Sequence, residues 1–167
     1  MLPQITAPLK DEKLKRYFTI LKIVLFCMPF MCMGYLGMFS GGTTLDTQSV
    51  IAANPTMAIS FLSAMLQPYA AWLVILAERR LADNRGQFAV VSLTLLLVAE
   101  LFLMSSVGVI GTALVLWKSI RYSGYGVPAA FRSCTPRSFI YEAGGTIPML
   151  LFASICLFAS LRLGVAF

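Results

Sequence analysis

FAVVSLTLLLVAELFLMSSVGVIGTALVLW, from Phe88 to Trp117, decides the fold: it is 30 residues long and Glu100 is its only charged residue. About 20 predominantly apolar residues, rising about 1.5 Å each, cross a hydrocarbon core of about 30 Å. As one helix this run would measure about 45 Å and overshoot that core. It must tilt, protrude into a partner, or break near Ser105-Ser106-Val107-Gly108. Halved, it yields pieces of about 22 Å, each too short to span alone. One long helix is therefore the preferred reading.

The flanking sequence supplies three more apolar runs. Phe18 to Phe39 follows Lys10, Lys13, Lys15 and Arg16, the layout of a signal peptide. It exceeds an h-region of about 7–15 residues, however, and no A-x-A site follows, so a retained span is expected. Asn54-Pro55 opens the second run with a capping residue and a first-turn proline. That run continues to Leu76, and Pro68 within it leaves the Ala64 carbonyl without its amide, which favours a kink. The link from Ala77 to Gln87, with Asn84 and Gly86 as helix-ending residues, is short enough to make an antiparallel hairpin. Thr146, with Pro148 in the first turn, starts the last run, expected to continue to Phe167.

Composition agrees with this picture. The chain is 59% hydrophobic and 12% charged, against about 25% charged in soluble proteins. A free cytosolic enzyme, a disordered chain and a disulfide-rich secreted fold are excluded. The expected architecture is a single all-α membrane domain over 1–167. Four transmembrane helices lie near 18–39, 55–76, 88–117 and 147–167, the third overlong, and a polar loop occupies 118–146.

Thirteen Lys+Arg against seven Asp+Glu give a net charge of +6. These basic residues sit beside apolar runs, where they set topology and meet anionic lipid; a nucleic-acid partner is not expected. With four spans and the N-terminus inside, nine basic residues fall inside, and Lys118, Arg121, Arg132 and Arg137 fall outside. Both termini are then expected on the positive, cytoplasmic-type side. If Phe88–Trp117 instead folded back as a re-entrant hairpin, the count would become twelve to one.

Catalytic chemistry has few candidates. Without histidine there is no Ser-His or Cys-His pair and no imidazole metal ligand. The acids are dispersed, and Cys27, Cys32, Cys134 and Cys156 form no C-x-x-C pair. Cys27–Met31 and Met28–Cys32 are i,i+4 pairs with ligands that suit Cu(I). The two pairs point about 100° apart, so packing is the simpler role. Neither an enzyme, a metal site nor a cofactor is expected.

Glu100 stands apart, because an ionisable group mid-span costs at least about 2.5 kcal/mol on insertion scales and marks an interior, often functional, position. Lys22 is its expected partner, and Gln67 is a further intramembrane polar group. Lys22 lies about 6 Å into the first span and Glu100 about 18 Å from Phe88. They meet only if the third helix slides until its membrane portion begins near Leu96. In the third loop Arg121, Arg132, Arg137 and Tyr125 read as a docking surface for partners or lipid headgroups. The spaced pairs Gly37–Gly41, Ser60–Ala64 and Gly108–Thr112 indicate close helix packing.

The first functional expectation is a non-enzymatic accessory subunit of a larger membrane assembly, with other integral-membrane subunits and anionic phospholipids as partners. It rests on the overlong third run, which would need a protein neighbour. The alternative is a small oligomeric transporter or channel with Glu100 as an intramembrane proton or cation relay.

Overall fold

A computed structural model describes residues 12–39, 55–83, 85–124, 126–133 and 144–162. The described residues form helices and no strand: α1 (Glu12–Phe39), α2 (Pro55–Ala82), α3 (Gly86–Phe102), α4 (Ser106–Ser123), α5 (Val127–Ser133) and α6 (Thr146–Arg162). Asn54, Asn84, Tyr125, Arg137 and the last five residues of the expected fourth span lie outside the described residues.

The run from Phe88 to Trp117 is not one helix. It stops at Phe102 and restarts at Ser106, and this corrects the expected overlong third helix. The break is built from backbone hydrogen bonds. Ser105 N–H donates to the Glu100 carbonyl at 3.2 Å and Met104 N–H to the Leu101 carbonyl at 3.1 Å. That pair forms a Schellman stop, with Met104 at φ 55° in the left-handed position that usually takes glycine. Ser105 then caps the next helix, its hydroxyl accepting from Gly108 N–H at 3.3 Å.

The two halves run back alongside each other. A Cβ added at Gly86, where α3 begins, would lie 2.6 Å from the Ser123 Cβ, where α4 ends. At the other end, Gly108 abuts the Glu100 side chain. On α4 the buried positions Gly108, Thr112, Val115, Leu116 and Ser119 repeat at helical spacing and form one face. On α3 burial runs around most of the helix, including Ala89, Val90, Val91, Leu93, Leu96 and Ala99. Contacts with α2, α4, α5 and α6 put α3 at the centre, and α1 packs on α2 and α4.

Two helices are long and apolar enough to cross a membrane, over Glu12–Tyr35 and Met57–Ala82, while α3 and α6 are shorter apolar helices. They carry large apolar side chains outward, such as Phe26, Phe30 and Met38 on α1. Tyr69 on α2 fixes the start of α6, its hydroxyl donating to the Gly145 carbonyl at 2.6 Å. Antiparallel packing gathers Arg79, Arg80, Lys118 and Arg121 at one end with the start of α1. The α3–α4 turn and the end of α6 lie toward the other.

Candidate functional site

Glu100 is fully buried, and its partner is Gln67 on α2. The Gln67 amide Nε2 donates to Glu100 Oε2 at 2.9 Å. Glu100 Oε1 and Gln67 Oε1 are both buried without a hydrogen-bond partner. Two acceptors facing no donor are costly in a low-dielectric interior. Among the described residues, no group donates to either of these oxygens.

The expected pairing with Lys22 is corrected. Lys22 Nζ bonds Glu78 Oε2 at 2.5 Å, with the side chains 24% and 16% exposed. The reason is depth: Lys22, ten residues into α1, is level with Glu78 in the last turns of α2, whereas Glu100 lies near the α3–α4 turn. Along α2, Gln67 sits eleven residues from Glu78 and twelve from Pro55, about 16 and 18 Å. The Gln67–Glu100 pair is therefore halfway along the helix.

A cleft of about 330 Å³ opens beside this pair. Met28, Ser60, Ser63, Gln67, Ser105 and Ser160 line it, from α1, α2, the α3–α4 turn and α6. Ser63 donates its hydroxyl proton to the Leu103 carbonyl at 3.2 Å, tying α2 to that turn. Ala64 also lines the cleft, and its carbonyl is the one that Pro68 cannot serve. Pro29 interrupts α1 close by, one residue from Met28. Serine hydroxyls, the Gln67 amide and the carbonyl freed by Pro68 thus share a cleft whose remaining lining is apolar.

No known family, curated protein or solved structure matches the chain. The site must be read from its own chemistry.

Other residues singled out in the sequence lie elsewhere. Arg121 is exposed, with its guanidinium carbon 5.1 Å from the centre of the Trp117 ring. Arg132 is exposed on α5. The structure brings neither of them to the cleft. Cys156 lines the cleft as a free thiol, while Cys27 and Cys32 on α1 are also free. Gly108 belongs to the Glu100 contact, Ser60 and Ala64 face the cleft, and Gly37 has open space beside it. The sequence marks Ser105 only as a possible break and does not single out Ser63, Ser160 or the pairing of Gln67 with Glu100. A usable signal exists in Gln67-Pro68, an amide beside a helix interruption inside an apolar run.

Proposed function

We propose that the chain is a multi-pass membrane protein that carries protons or small cations, with Glu100 taking up and releasing the proton. The observation that carries this reading is a fully buried carboxyl, held on one oxygen by Gln67 and, among the described residues, unpartnered on the other, beside a mainly apolar cleft that serine hydroxyls also line at the α3–α4 break. Ion and substrate sites in membrane carriers favour mid-depth positions beside interrupted helices. Among the described residues Glu100 meets no cation, so an ion pair with any of them does not account for its burial. The proposed role is non-enzymatic.

In this reading α1, α2 and α6 cross the bilayer, and α3–α4 enters and leaves from the basic end. The positive-inside count supports it. With the hairpin, sequence position puts twelve basic residues on one side and Arg162 alone on the other. The N-terminus is then cytoplasmic and the C-terminus opposite, unlike the both-inside arrangement that one unbroken rod implies.

The test is flux into proteoliposomes loaded with a pH-sensitive dye. The wild-type chain is expected to pass protons above the protein-free rate, and Glu100→Gln to lose at least tenfold while eluting at the same size. Wild-type flux at the protein-free rate, or equal flux from Glu100→Gln, would refute the proposal.

A subunit role in a larger assembly keeps one specific support: the broad outward apolar faces of α1 and of α6, where Leu151, Ile155, Phe158 and Leu161 are exposed. Lipid can cover these faces as well as protein can. Purification in mild detergent separates the cases. Stoichiometric partners in the mass spectrum would favour the subunit, and a solitary chain the carrier.

A further inference from the structure

Besides the polar cleft, an apolar groove of about 280 Å³ runs between α1 and α4. Tyr17, Ile20 and Val24 form one wall, and Val107, Ile110 and Leu114 the other. The helices are antiparallel, so Tyr17 and Leu114 lie toward the basic end and Val24 and Val107 toward the hairpin turn. The groove therefore runs along the two helix axes, and its two ends differ chemically.

At the Tyr17 end stands Lys118, its ammonium 5.7 Å from the centre of the Tyr17 ring. Arg16, next to Tyr17 in the chain, and Arg121, one turn after Lys118, are exposed, and Trp117 is 53% exposed one residue before Lys118. Tyrosine and tryptophan at this level, followed by cations, have the character of a membrane interface. The acids toward this end are Glu12 on α1, Glu78, which is taken by Lys22, and Asp83 after α2, and they are outnumbered by Arg16, Arg79, Arg80, Lys118 and Arg121. The rim is thus a cationic cluster above an apolar slot.

We infer that this groove binds one anionic phospholipid, with an acyl chain between α1 and α4 and its headgroup phosphate at Lys118. The charge pattern selects this occupant. An acyl chain matches a narrow apolar slot, and an anionic head matches the cations at its mouth. A second copy of the chain would bring the same basic rim against this one. The site lies outside the Glu100 cleft and does not depend on the transport reading.

The test uses the full chain in mild detergent, incubated with equal amounts of phosphatidylglycerol and phosphatidylcholine of identical acyl chains, and read by native mass spectrometry. One lipid should be retained per chain, the anionic one favoured about fivefold or more. Lys118→Gln should bring the ratio toward one, and Lys118→Arg should keep it. Ile110→Trp, at a position 62% exposed, should fill the groove and remove both lipids without disturbing the core. Equal retention of the two lipids by the wild type, a preference that survives in Lys118→Gln, or a lipid that stays in Ile110→Trp would each overturn the inference. So would a lipid-free dimer.

Discussion

Gly108 on α4 lies against the Glu100 carboxyl. A Cβ there would overlap Glu100 Oε2 and lie 2.6 Å from the carboxyl carbon, with the Ser105 hydroxyl 2.9 Å away. Gly108→Ala is therefore expected to destabilise the protein by about 1–3 kcal/mol through overpacking, measured by denaturant titration of the reconstituted chain. Combined with Glu100→Ala, the same methyl meets space, so the double variant should cost less than the sum of the two singles. Strict additivity would show that the methyl collides with something else. Glu100 itself is legible in the sequence, since a lone acid in an apolar run has few reasons to be there. Its partner is not, because Lys22 is the attractive choice by charge. Only the fold-back of the third run puts a neutral amide, rather than an ammonium, at the right depth. Gln67 is visible from the sequence as a polar residue in a span, but not as the donor to Glu100.

The α3–α4 turn shows how two local signals can override a continuous apolar run. Met104 occupies the left-handed region at φ 55° and Ser105 caps α4. A side chain in that region costs roughly 1–2 kcal/mol, so Met104→Gly should stabilise the hairpin by up to about 1 kcal/mol once the loss of methionine packing is included. Ser105→Ala should destabilise it by about 1 kcal/mol, the usual loss of a cap. An unbroken helix would reverse both signs, because glycine costs about 1 kcal/mol in a helix interior and alanine is favoured there. Thermal or denaturant unfolding of the two variants therefore distinguishes a turn from a rod. The helical class and the starts of α2 and α6 follow directly from apolar run length and proline placement, whereas α2 continues six residues past the expected end at Leu76, to Ala82, because charged residues such as Glu78 and Arg79 are good helix formers. The break is harder to read because apolar residues surround it on both sides. Hydropathy is blind to direction reversal there. Ser105 and Gly108 mark the place, but only the packing of α4 against α3 makes reversal better than continuation.

The hairpin changes the relation between charge and topology for the entire chain. Arg85 precedes it and Arg121 stands near its end, and the return of α4 alongside α3 brings these residues to a common end of the bundle. Arg162 ends α6, which starts beside Tyr69 and passes Cys156 and Ser160 at the cleft, so it lies at the opposite end. Under the proposed topology, a membrane-impermeant maleimide tells the two ends apart. In a background with Cys27, Cys32, Cys134 and Cys156 replaced by alanine, single Arg85→Cys and Arg121→Cys variants should be modified from the same face of sealed vesicles. Arg162→Cys should react from the other face. A single rod over Phe88–Trp117 demands a different pattern, with positions 85 and 121 on opposite faces and 162 sharing a face with 85. The distribution of charge favours the first pattern. Twelve cations gathered on one side satisfy the inside bias, whereas a rod would strand Lys118, Arg121, Arg132 and Arg137 across the membrane. Modification of Arg121→Cys from the face opposite Arg85→Cys would remove the hairpin from the membrane-embedded protein, and the mid-depth cleft beside Glu100 with it.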